Sequence, residues 1–268
     1  MDYIEERTNS FGSAPLLLQG DCLELMKQIP DKSIDMVFAD LPYGTTKNEW
    51  DKPIDLEALW AEYERIVKDN GCIALWAQSP FDKILAMSNF KLYRYEWVIK
   101  KTSPTGFLNA KRMPMKAHEN VLIFYKKLPT YNPQKTTGHP RKVSTAEHKR
   151  NSKVTTNYGA HGLTTYDSTE RYPLDVLEFK WDKQTSKGHP TQKPIAACEY
   201  FIQTYTNPGD VVLDNTMGFG TTGVAALNLG RRFVGMELSK AMFDAARDRI
   251  MNIYGKIKKE CIKNDGNG

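Results

Sequence analysis

Residues 211–223 read Val-Val-Leu-Asp-Asn-Thr-Met-Gly-Phe-Gly-Thr-Thr-Gly, an apolar strand that passes through a glycine turn into a helix. This junction constrains the chain more than any other feature. Glycines let the backbone approach a ligand closely, and the unpaired N–H groups of the helix start favour a negatively charged group. Glu237 ends the next apolar run, 19 residues after Gly218. An acid at that place in nucleotide-binding folds commonly accepts from both hydroxyls of a ribose. The absence of GxxxxGK[ST] disfavours a triphosphate. The turn alone does not separate a dinucleotide from another adenosine-containing cofactor.

The rest of the chain repeats the alternation. Strands are predicted over Pro15–Asp21, Ile34–Ala39, Cys72–Ala77, Tyr93–Ile99, Asn120–Tyr125, Asp210–Asp214 and Arg232–Met236. Helices are predicted over Cys22–Ile29, Asp55–Lys68, from Ser79 or Pro80 to Met87, Pro194–Tyr205, Thr221–Leu229 and Lys240–Ile253, with a charged tail from Lys256 expected to fray. This spacing implies an α/β fold with a doubly wound, mostly parallel sheet. Residues 128–170 show little periodicity and read as an irregular insertion. The expected division is 1–127, an insertion over 128–187, 188–255 and a tail over 256–268.

Composition narrows the function classes. The chain of 268 residues carries a net charge of +5. Between Lys126 and Gly188 twelve Lys and Arg face six Asp and Glu, a net +6 that leaves the remainder close to neutral. Such an excess in one segment suits a polyanionic partner. No apolar run approaches the ~18 residues of a membrane span, and the N-terminal residues lack a secretory pattern, so a cytoplasmic protein with no membrane partner is expected. The four cysteines form no CxxC pair, which argues against a disulfide scaffold or a structural zinc site. They read as buried small hydrophobes, and no metal site is expected.

Asp40-Leu41-Pro42-Tyr43 follows an apolar strand, at the edge where doubly wound sheets place ligands. A carboxylate and a neighbouring backbone carbonyl can accept two hydrogen bonds from an amino group. A tyrosine can stack on a planar base, and the proline between them stiffens the turn.

This tetrad resembles the Asp-Pro-Pro-Tyr motif of the amino-methyltransferases, which use S-adenosylmethionine to methylate exocyclic amines of DNA bases. The turn 214–223 is similar to that family's cofactor motif, with Gly218, Gly220, Thr221 and Thr222 on its usual glycines and threonines. His189-Pro190-Thr191-Gln192-Lys193-Pro194 resembles its signature ahead of the cofactor strand. Lys116-Ala117-His118-Glu119 and Gln19-Gly20-Asp21-Cys22 look like two further family segments. The order of motifs is that of the β group, whose Rossmann-like sheet is circularly permuted. Leu41 replaces a proline, Asn215-Thr216 replaces Pro-Phe or Pro-Cys, and Phe219 replaces a common serine.

The resemblance implies roles for individual residues. Asp40 and the Leu41 carbonyl would accept from the target amine, Pro42 would fix the turn, and Tyr43 would stack on the flipped base. Asp21 with the Cys22 backbone would meet the cofactor adenine, and Glu237 the ribose. Lys193 and the Gly218–Thr222 backbone would receive the methionine carboxylate, with Asp214 counted among the cofactor residues. His189 would organise its loop, and Gly44–Pro53 has the composition of a lid. The basic insertion would be a target-recognition segment contacting double-stranded DNA, with Arg141, Lys142, Lys149, Arg150 and Lys153 on phosphates. Aspartate at position 40 is more usual for adenine N6 than for cytosine N4. The resemblance also admits a homodimer and a cognate restriction endonuclease as partners. Cytosine N4 methylation, RNA methylation and a silent binding module are the alternatives.

Overall fold

The computed structural model describes residues 14–44, 53–145, 165–180 and 192–265. In chain order the main unit contains β1 (Leu16–Gln19), α1 (Cys22–Met26), β2 (Ile34–Asp40), α2 (Leu56–Ile66), β3 (Val67–Ala77), α3 (Phe81–Ser88), β4 (Tyr93–Thr105) and β5 (Lys116–Phe124). The order β6 (Lys142–Ser144), β7 (Tyr166–Ser168), β8 (Val176–Phe179), α4 (Ile195–Tyr205), β9 (Val211–Asp214), α5 (Thr221–Asn228), β10 (Arg232–Glu237) and α6 (Lys240–Asp265) completes the elements, β6 and β7 lying outside that unit.

Eight strands form one sheet in the order β1-β10-β9-β2-β3-β5-β4-β8. Only β5 runs against the others: it pairs antiparallel with β3 and β4, while the remaining neighbours pair in parallel. Alternation along the central strands splits the core in two. Val37, Leu75 and Leu213 face one cluster with Met26, Leu59, Tyr63 and Leu85 of α1, α2 and α3. Met36, Phe38, Trp76 and Val212 face the other, with Phe201, Val224 and Ile250 of α4, α5 and α6. A strand apolar on both faces must be covered on both, hence the double winding.

The layout puts β9 beside β2, with the helices that follow them on opposite faces. That is a topological switch point, where open parallel sheets bind ligands beyond the carboxyl ends of their strands. Register brings those ends together: Gln19 lies opposite Glu237, Gly235 opposite Asp214, and Asp40 opposite Trp76.

Four features differ from expectation. β3 begins at Val67, not Cys72, and takes up the last two residues expected of the helix Asp55–Lys68. The strand expected over Tyr93–Ile99 continues to Thr105, because pairing with β5 and β8 carries a polar stretch that has no strand signature of its own. The expected fraying tail is helical to Asp265; Phe243, Ala246, Ile250, Ile253 and Ile257 keep one apolar stripe on the second core past residue 256. The segment 128–187 is divided. Pro133–Leu174 forms a separate compact unit, whereas Val176–Phe179 returns to pair with β4. Within that unit β6 and β7 pair antiparallel, a bridge joins Thr136 to Arg171, and Arg171 donates to the carbonyls of Pro140, Ser168 and Glu170.

Candidate active site

The cleft beyond the strand ends has a volume of about 950 Å³, toward the upper end for a small-molecule site. Asp21, Asp40, Leu41, Pro42, Tyr43, Lys193, Asp214, Gly218, Thr221, Thr222 and Glu237 all line it, together with Cys22. Residues separated by up to 216 positions in sequence thus share one wall.

On the glycine side, Gly218 sits at φ +50° and Gly220 at φ +72°, a region that favours glycine. A Cβ on Gly220 would lie 2.6 Å from Ile250 Cδ1, so this glycine admits α6. A Cβ on Gly218 would meet nothing within 4 Å, so the turn is open where it faces the cleft. Glu237 Oε2 accepts from the Gly218 N–H at 3.0 Å, and Oε1 accepts from the Ser239 N–H at 2.8 Å. Each carboxylate oxygen keeps a further lone pair for a ligand hydroxyl. Asp21 caps α1 by accepting from the Leu23 N–H at 2.8 Å, and Asn215 ties that corner together, donating to Cys22 Sγ and accepting from Tyr63 Oη at 2.6 Å. Burial pushes the Asp214 carboxyl up to about 7, against hydrogen bonds from Thr222 and the Thr216 N–H.

On the tetrad side, Asp40 ends β2. Its Oδ1 accepts from Tyr43 Oη at 2.5 Å, its Oδ2 lies 3.0 Å from Lys193 Nζ, and its carbonyl accepts from Thr216 Oγ1 at 3.1 Å. The Leu41 side chain is buried in the first core and anchors the turn. The Tyr43 ring packs 5.0 Å from Phe81, but only Tyr43 of the pair reaches the cleft.

Lys193 has partners that the sequence did not predict. Its ammonium, expected to receive a methionine carboxylate, bridges Asp40 and Glu119, 2.7 Å from Glu119 Oε2 and 4.9 Å from the Trp76 ring centroid. Glu119 Oε1 is in turn 2.5 Å from Lys101 Nζ. Burial works against the Lys193 ammonium, but Asp40 and Glu119 outweigh it and raise its pKa above the ordinary lysine value. Burial likewise pushes the Glu119 carboxyl up, and Lys193 and Lys101 more than offset this and hold it low. Glu119 and Lys101 stand outside the site residues that the sequence suggests. Glu119 belongs to a recognised segment, but a pair formed across 74 positions leaves no local signal. Gln192 lines the same cleft. The Arg249 guanidinium lies within hydrogen-bond reach of the Gln192 amide and donates to the Phe219 carbonyl at 3.1 Å, bracing the glycine turn.

Among the expected phosphate contacts, Arg141 is engaged in a two-pronged pair with Asp167 at 2.7 and 2.6 Å, while Lys142 is exposed on β6. Lys149, Arg150 and Lys153 lie outside the described residues, as do His189 and positions 45–52 of the expected lid. Burial pushes the Cys72 and Cys198 thiols up, which suits small core hydrophobes. Among the described residues, no helix is long and apolar enough to cross a membrane, and no cluster of three His, Cys, Asp or Glu could hold a metal.

A sheet with one reversed strand and a glycine turn facing an acid-aromatic tetrad across its switch point defines the Rossmann-like methyltransferase class. The sequence matches the DNA methylase family over residues 34–248, and the chain belongs to that family. It is 30% identical to the type II methyltransferase M.HinfI of Haemophilus influenzae, over 93% of this chain and 71% of the relative. It is 28% identical to the DNA adenine methyltransferase YhdJ of Escherichia coli K12, over 87% of this chain and 82% of the relative. The crystal structure of the M1.HpyAVI complex with S-adenosylmethionine superposes with a TM-score of 0.59 at 26% identity, covering 88% of this chain and 98% of that one. The cytosine-N4-specific PvuII DNA methyltransferase shares the fold, with a TM-score of 0.62 at 17% identity over 92% of this chain and 96% of that one.

Proposed function

We propose that this DNA methylase is sequence-specific and transfers the methyl group of S-adenosylmethionine to the N6 amine of a flipped-out adenine in duplex DNA. The observation that carries this reading is the placement of the Asp40 carboxylate, oriented by Tyr43 and Lys193, across one cleft from the open turn at Gly218. The name of the YhdJ relative supports adenine as the base. The cleft fits the cofactor together with a base. It offers Glu237 to a ribose and Asp21 to an adenine edge, with open space at Gly218 beside them. When bound, that cofactor supplies a methyl group on an electrophilic sulfonium.

The protein's part is positional and electrostatic. An exocyclic amine is a weak nucleophile because its lone pair is delocalised into the ring. Asp40 Oδ and the Leu41 carbonyl would accept its two N–H bonds and favour a pyramidal nitrogen. Holding both reactants in line can supply several kcal/mol. The amine proton leaves toward Asp40, whose charge is partnered by Lys193. Tyr43 would stack on the base, a contact typically worth ~1–3 kcal/mol. Lys142 and residues 149, 150 and 153 are assigned to phosphates, where counterion release makes binding fall with salt.

Nucleoside mass spectrometry of methylated DNA tests the base assignment. N6-methyladenine is expected; N4-methylcytosine would keep the site and overturn the choice of base. A second expectation concerns Asp214. Its raised pKa leaves it partly protonated near neutrality, and a cationic cofactor end favours the carboxylate. Cofactor binding should therefore tighten about tenfold from pH 6 to pH 8. Calorimetric titration should find this slope in the wild type and lose it in Asp214→Asn; equal slopes would remove Asp214 from the cationic end.

A further inference from the structure

Residues 100–118 hold five cations (Lys100, Lys101, Lys111, Arg112, Lys116) and no acid. They form the ends of β4 and β5 and the loop between them, closed at its base by the pairing of Thr105 with Lys116. The loop is ordered by its own bonds. Gly106 turns the chain at φ +90°, and the N–H groups of Asn109, Ala110, Arg112 and Met113 donate to carbonyls within the loop. An ordered loop nevertheless presents apolar side chains to water: Phe107 is 76% exposed and Leu108 is 95% exposed. Beside them Lys111 and Arg112 are exposed and form no ion pair among the described residues.

Position gives this surface its meaning. Lys101, Ser103 and Thr105 line the active-site cleft, so the loop starts where the cleft wall ends. At ~3.3 Å per residue, Phe107 lies within about two base-pair steps of that wall. We infer that the β4–β5 loop is an apolar wedge: Phe107 and Leu108 enter the DNA duplex beside the everted base, and Lys111 and Arg112 meet the flanking phosphates. Everting a base leaves a gap between stacked neighbours, and apolar side chains are known to insert between base steps in DNA-bending proteins. The charge selects the occupant. A second copy docked loop to loop would set Lys111 and Arg112 against their own kind, whereas a polyanion complements both; Lys100 and Lys101 already face Glu178 and Glu119.

The inference rests on the proposed base eversion and is tested separately from it. Single-turnover methyl transfer is measured for the wild type and Phe107→Ala/Leu108→Ala, on a duplex bearing the site found in methylated genomic DNA. A second duplex places the target opposite an abasic position, where eversion is cheaper. The variant should lose about tenfold or more on the paired duplex and recover to within about threefold of wild type on the abasic one, with unchanged cofactor affinity. Leu108→Ala alone, at an almost fully exposed position, should show the same pattern more weakly. Equal rates on the paired duplex, or equal losses on both duplexes, would overturn the wedge. So would a wild-type dimer that the variant dissociates, since the loop would then be a subunit contact. A wild-type chain that transfers nothing to either duplex would instead sink the underlying reading, and the wedge with it.

Discussion

Replacing Asp40 by alanine is expected to slow methyl transfer by about 10³-fold, equivalent to about 4 kcal/mol in the barrier, while cofactor affinity stays within about threefold. The carboxylate ends β2 with one oxygen on Tyr43 and the other beside Lys193, so its loss removes the amine's acceptor from a preset position. The groups proposed to hold the cofactor, chiefly Glu237, Gly218 and Asp214, are separate from Asp40 and should bind it as before. Asp40→Asn should lose less, because an amide oxygen still accepts one hydrogen bond but cannot take up the proton. Stopped-time transfer assays paired with calorimetric cofactor titration separate the two effects. A parallel loss of rate and cofactor affinity would show that Asp40 serves cofactor binding instead.

Lys193→Met should show the largest change in stability. Lys193 is nearly buried between Asp40 and Glu119, and its removal leaves carboxylates without their main cation. Breaking a buried pair from one side costs about 3–5 kcal/mol. The lower end is expected because Lys101 still faces Glu119. Glu119 is held low in the folded chain despite its burial, so its contribution is present above the ordinary carboxylate range and fades as pH falls through its folded value. Urea unfolding should therefore find the deficit of the variant largest near pH 7 and shrinking below pH 4, as the Glu119 carboxyl protonates. A deficit unchanged by pH would point to lost packing on Trp76. Activity should fall about 10- to 100-fold, since Asp40 loses the group that orients it.

Much of this site was legible because its signals are local. The strand, glycine turn and helix at 211–223 carry apolar periodicity and positive-φ glycines within thirteen residues, and the tetrad at 40–43 sits directly after its strand. The illegible parts depend on contacts across the chain. The Lys101–Glu119–Lys193–Asp40 series joins four elements, and no spacing rule predicts that Lys193 turns to carboxylates of the protein. The extension of β4 through Ser103-Pro104-Thr105 is imposed by its neighbours, against weak local propensity. The basic excess after residue 126 is the larger signal in the sequence, whereas 100–118 is shorter but free of acids. For α6 the stripe continued past residue 253, and its charge obscured Ile257.

Methylation of DNA bases by the Asp40 cleft at a defined site can be read in one experiment. Purified protein is incubated with tritiated S-adenosylmethionine and unmethylated genomic DNA, and the product is read by single-molecule sequencing. Tritium in DNA, methyl marks on adenine at one short recurring motif, and their disappearance in Asp40→Ala are expected. Cofactor binding without transfer to DNA, or transfer that persists undiminished in Asp40→Ala, would contradict the proposed role of the cleft.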